Sequence, residues 1–134
     1  MSASNVDDNV MNVVAQTFAL VAALIHVAVG VLEAFFYDRS AVRVFLTGSA
    51  ADAPEVQLWR FFVGIYNIGL GLGLVAGLVA LQLGEETVGH TLIIYVCSFM
   101  VASGVIFLLT TPRLWQGALG QLVPAGIALV AAFM

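Results

Sequence analysis

Two series of polar and small residues recur at helical spacing inside otherwise apolar stretches of this chain. His26, Gly30 and Glu33 stand at i, i+4 and i+7, which is one face of a helix. Arg60, Gly64, Asn67 and Gly71 stand at i, i+4, i+7 and i+11, which is one face of another. An ionisable group in hydrocarbon is costly, so it turns toward a partner inside the protein. Glycines on the same face let two backbones come close. The stripes are therefore expected to face each other, with Glu33 and Arg60 as an ion pair and His26 beside Asn67. Tyr66, next to Asn67, would reach either group from a flank. Depth agrees: His26 lies 11 residues from Tyr37 and Asn67 lies 9 from Leu58, a mismatch of roughly 3 Å at ~1.5 Å per residue.

Such a constellation has two uses. As structure, it fixes the register of two helices. As a site, it would be a polar pocket in which Glu33 or His26 exchanges a proton when a substrate enters. A strong pair with Arg60 would oppose a proton-carrying role for Glu33. No set of residues suits catalysis or a metal. Ser98 and Ser103 have no base at their level, and His26 and His90 lie at different depths, which does not suit haem ligation. Cys97 is the single cysteine, so it makes no internal disulfide and reads as a small packing residue.

The elements that must hold these residues are four apolar runs, about Val10–Phe36, Leu58–Leu83, Val88–Thr110 and Leu114–Met134. Each is near or above the ~20 residues that cross a hydrocarbon core as a helix. The chain of 134 residues is 62% hydrophobic and 9% charged, against roughly 25% charged in a soluble domain. The expected fold is all-α, a four-helix transmembrane bundle: a polar tail, 1–9, and one membrane domain, 10–134. The first run is too long for a signal-peptide core and no basic residue precedes it, so it is expected to be a retained span.

The four basic residues are all arginine, and they are unevenly placed. Arg39, Arg43, Arg60 and Arg113 belong to the first and third connections. Asp7, Asp8, Glu85 and Glu86 belong to the tail and the second connection. The positive-inside rule puts both termini on the extracytoplasmic side of the plasma (inner) membrane. A net charge of −4 with no lysine offers no basic footprint for nucleic acid.

Four smaller features shape the expectation. In the first connection, Val42, Phe45 and Leu46 fall at helical spacing, which suits either a short interfacial helix or a loop with hydrophobic anchors. Pro54 suits the first turn of the helix that follows. Gly69, Gly73 and Gly77 form a second glycine strip, fit for an intramolecular neighbour or for an oligomer partner. Pro124 would free the carbonyl of Gly120, with Gln121 as a local donor.

At these residues the chain resembles a bacterial family of small integral membrane proteins known as domain of unknown function thirteen-oh-four. A His followed seven residues later by Glu in an L-E-x-F context is matched by His26 and Leu32-Glu33-Ala34-Phe35. Arg43-Val44-Phe45-Leu46 echoes an R-x-F-G-L-like segment, and Gly64-Ile65-Tyr66-Asn67 is similar to the second half of N-Q-G-x-Y-N. Gln121-Leu122-Val123-Pro124-Ala125 is similar to Q-x-x-P-A. Phe62 and Val63 stand where the family usually has Asn and Gln, so this stretch is less polar here. The resemblance implies four helices and carries no activity.

The leading expectation is a small non-catalytic plasma-membrane protein, a structural or accessory component of a homo-oligomer or a larger membrane complex, surrounded by membrane lipids. The alternatives are an oligomeric small-molecule transporter and a quinone- or lipid-binding protein. Both would use the polar face of the first two long helices.

Overall fold

Asn12 starts the first helix: its Oδ1 accepts the N–H of Ala15 at 2.9 Å, satisfying a donor that the first turn cannot pair. The structure, a computed structural model, describes residues 10–52 and 54–134. The expected polar tail with Asp7 and Asp8 lies outside the described residues. Helix α1 is Val13–Phe35, α2 is Ser40–Thr47, α3 is Pro54–Gln82, α4 is Glu86–Thr110 and α5 is Trp115–Ala131. A 3-10 turn, Pro112–Leu114, leads into α5. Gly48 ends α2 at φ 72° and Gly84 turns the chain between α3 and α4 at φ 82°, a region that a Cβ disfavours.

Four segments are long and apolar enough to cross a membrane: Val13–Phe35, Glu55–Gln82, Glu86–Thr110 and Pro112–Ala131. Most boundaries differ from the sequence expectation by one to four residues, and two of these shifts have a local cause. The Asn12 cap delays α1 from Val10 to Val13. The second long helix begins at Pro54, a full turn before Leu58, because proline needs no N–H partner in a first turn. The Ser40–Thr47 stretch is a helix, the first of the two arrangements its spacing allowed.

The long helices pack in a closed order, α1 on α3, α3 on α4, α4 on α5 and α5 back on α1. Small residues make this possible. Helix α1 buries Ala15, Ala19, Ala22, Ala23 and Gly30, and α5 buries Ala118, Ala125, Ala128 and Ala131. Where lipid is the solvent, dispersion contact between closely approaching backbones replaces water-driven burial. Leu74, Ile93, Cys97 and Met100 fill the centre as its largest fully buried side chains.

The second glycine strip divides. A Cβ on Gly77 would lie 2.9 Å from Ile93 and 3.3 Å from the Gly89 carbonyl oxygen, and one on Gly73 would meet Val96 at 3.4 Å. Both therefore serve α4, an intramolecular neighbour. Gly69 has nothing within 4 Å, which corrects the expectation of one continuous strip. The cause is the 3.6-residue turn: positions spaced by four drift around the helix, away from α4.

Arg43 holds the first connection together. Its Nε donates to the Ala50 carbonyl at 2.8 Å, and its Nη1 donates to those of Tyr37 at 3.1 Å and Asp38 at 2.6 Å. The Asp52 carboxylate lies 4.0 Å away, and the Arg43 side chain is 12% exposed. Hydrogen bonds to a charged donor are among the stronger ones. Replacing Arg43 by alanine is expected to speed protease cleavage within residues 48–52 about tenfold, the equivalent of losing one such bond. The long helices should remain intact by circular dichroism. Unchanged cleavage would show that Arg43 does not tie this connection down.

Candidate functional site

The two polar stripes do meet, and backbone contact brings them together. A Cβ on Gly30 would sit 2.5 Å from the Gly64 carbonyl oxygen. One on Gly64 would sit 2.6 Å from the Gly30 oxygen and 2.7 Å from the Ala34 nitrogen, and one on Gly71 would sit 2.7 Å from the Ala23 oxygen. No side chain fits at these three crossings. The crevice between α1 and α3 is closed there.

Within this seam Asn67 Nδ2 donates to Glu33 Oε2 at 2.7 Å. The expected Glu33–Arg60 ion pair is not formed; the Arg43–Asp52 contact is the only salt bridge among the described residues. The Arg60 guanidinium instead lies over the Tyr37 ring, 3.9 Å from its centroid, in a cation–π arrangement. No hydrogen bond joins His26 to Asn67 among the described residues, since Asn67 is bonded to Glu33. His26, 4% exposed, has its Nδ1 2.9 Å from the Ala22 carbonyl oxygen one turn back. A carbonyl only accepts, so Nδ1 carries the proton.

The physical cause is a register shift of about half a turn. The depth comparison took Tyr37 and Leu58 as matching ends. The glycine contacts instead set Arg60 level with Tyr37, so the first turns of α3 run past the end of α1. Asn67 then drops to within reach of Glu33. Tyr66 points away from this seam and is 67% exposed, because adjacent helical residues are about 100° apart. Sequence analysis missed Tyr37, whose only signal was its place at the end of the first apolar run.

Further polar links tie the other helices. Gln121 Nε2 donates across to the Met100 carbonyl at 3.0 Å and to Ser103 Oγ at 2.5 Å, and Ser103 Oγ donates to the Phe99 carbonyl at 2.8 Å. Gln121 thus joins α5 to α4 and is not the local donor expected beside Pro124; α5 runs unbroken through that proline. Asn12 Nδ2 also donates to the Ala131 carbonyl, and Gln82 Nε2 donates to Gln16 Oε1 at 3.3 Å. Among the described residues no three His, Cys, Asp or Glu side chains are grouped to hold a metal. A shallow apolar groove lies elsewhere, between α1 and α5, lined by Val14, Val123, Ile127 and Val130 among others.

These features define a class: an all-α bundle of four helices long and apolar enough to span a membrane, joined by a polar seam that glycine contacts close. The family model for a protein of unknown function (DUF1304) matches residues 20–133, and the chain belongs to that family. No curated protein and no solved structure matches it.

Proposed function

We propose that this is a small non-catalytic integral membrane protein of the plasma membrane, with both termini outside. It acts as a structural or accessory component of a homo-oligomer or a larger complex. The observation that carries this reading is that Glu33, Asn67, His26 and Gln121 bond within the bundle, while Arg60 and His90 each keep a buried nitrogen unpaired. Glu33 bonds Asn67, His26 bonds the Ala22 carbonyl, and Gln121 bonds Ser103. With the α1–α3 crossing closed at Gly30 and Gly64, this polar face has no room for a passing substrate, so it gives the transporter reading no support. The large side chains left outward, such as Tyr95, Phe99 and Leu109, are suited to contact lipid or other helices.

The test is isolation of the tagged protein from its native membrane in a mild detergent, with cross-linking before extraction. A fixed stoichiometry, with itself or with a second membrane protein, is the expected result. A monomer that brings nothing down and forms no cross-link would overturn the proposal. The groove between α1 and α5 favours a second reading, binding of a quinone or lipid tail. Quinone co-purifying in constant ratio with the protein would support it.

A further inference from the structure

Arg60 makes no hydrogen bond and no ion pair to any described residue, and its Nε is buried without a partner. A buried donor on a permanent cation is expensive to leave unpaired. The charge is held in place all the same, stacked on Tyr37, which is itself buried. A second guanidinium is fixed in the same turn. Arg39 folds back over the Phe36 ring at 5.1 Å, and its backbone N–H closes the turn on the Phe36 carbonyl at 3.1 Å. Two cations thus rest on the rings of consecutive residues, Phe36 and Tyr37, at the end of α1.

The acidic groups nearby leave both unpaired. Glu33 is bonded to Asn67. Asp38 is exposed in the same turn, and its carboxylate is not within 4.0 Å of a guanidinium. Exposed phenyl rings flank the two arginines in the chain. Phe35 and Phe61 are exposed and meet edge to face at 6.2 Å. The adjoining helix α2 presents Phe45, 69% exposed, as a helix lying in a membrane interface would.

We propose that this junction binds one anionic phospholipid, whose headgroup phosphate is bonded by Arg60 and neutralised further by Arg39, with its acyl chains against Phe35 and Phe61. A guanidinium offers a fork of donors that matches phosphate oxygens. The Nη groups of Arg60, which are not buried and make no hydrogen bond, together with the geometry held by Tyr37 supply these donors in advance, so little ordering is needed on binding. The surrounding phenyl rings select a lipid over a free anion. A headgroup with its own cation, such as choline, is disfavoured beside two arginines.

The test uses the full chain reconstituted in vesicles of equimolar phosphatidylglycerol and phosphatidylcholine. The protein is then extracted in mild detergent and its retained lipid counted by native mass spectrometry. The wild-type protein should keep about one phosphatidylglycerol and prefer it to phosphatidylcholine about tenfold, as expected of one charge-assisted contact. Arg60→Met should abolish the preference. Arg60→Lys, which keeps the charge and loses the fork, should weaken retention without lowering the melting temperature, so the test survives if the methionine variant misfolds. Arg113→Met, on the exposed connection before α5, should retain lipid as the wild type does. Retention at the wild-type level in both Arg60 variants, an equal loss in Arg113→Met, or no preference between headgroups would overturn the proposal. Lipid held in the α1–α5 groove would survive the Arg60 changes, which separates the two sites.

Discussion

Adding a single methyl group at Gly64 is expected to destabilise this bundle by about 3 kcal/mol, the upper part of the range for overpacking a tight core. The new Cβ would lie 2.6 Å from the Gly30 oxygen, 2.7 Å from the Ala34 nitrogen and 2.9 Å from the Ala34 Cβ. Two of these three are backbone atoms, which cannot swing aside as a flexible side chain would. The two helices must separate, and the Glu33–Asn67 bond nearby loosens with them. Gly69→Ala provides the control on the same helix. Its Cβ would meet nothing within 4 Å, and alanine favours a helix over glycine by up to ~1 kcal/mol. Thermal unfolding in detergent should therefore give a lower midpoint for Gly64→Ala and an unchanged or higher one for Gly69→Ala. Equal midpoints for the two variants would mean that the α1–α3 crossing is not built as described.

The second large effect concerns the partner of Glu33. Removing Asn67 leaves the Glu33 carboxylate without its bond inside the seam, and removing Glu33 leaves the Asn67 amide likewise. A double-mutant cycle between Glu33→Ala and Asn67→Ala is expected to give a coupling of about 1–2 kcal/mol. Bonds to charged groups reach somewhat higher values, while those between helices in membranes average less. The parallel cycle between Glu33→Ala and Arg60→Met should be additive to within about 0.5 kcal/mol, as for residues that share no contact. Chemical unfolding of the three single and two double variants beside the wild type measures both. The opposite pattern, coupling with Arg60 and none with Asn67, would restore the ion pair that the spacing suggested and discredit the register described above.

That contrast locates the boundary between what the amino-acid order specifies and what folding adds. The apolar runs alone determine the number of long helices and their approximate extent, because a hydrocarbon layer demands a minimum length of uninterrupted apolar side chains. The two stripes are legible for a similar reason. A 3.6-residue turn puts Glu33 with His26 and Asn67 with Arg60 on single faces wherever the ends of the helices fall, and costly polar groups must turn inward. The pairing of α1 with α3 through Gly30, Gly64 and Gly71 follows from those faces.

Which residue meets which is a different matter, because it depends on how far one helix slides along the other. Helix ends are poor guides to that offset: α3 starts at Pro54 and extends past the end of α1, so counting inward from Tyr37 and Leu58 misplaces the contacts by about half a turn. Tertiary packing decides the offset, since the backbones approach only where glycines of α3 meet small residues of α1, Gly64 against Gly30 and Ala34 and Gly71 against Ala23. At that one position Asn67 reaches Glu33 and Arg60 comes to rest on Tyr37. The same holds for Gly69 and for Gln121, whose neighbours are set by the rotation of α3 against α4 and by the depth of α5 beside α4. Period and composition are properties of one helix at a time, whereas register is a property of two, and close contact at small residues is the physical event that sets it.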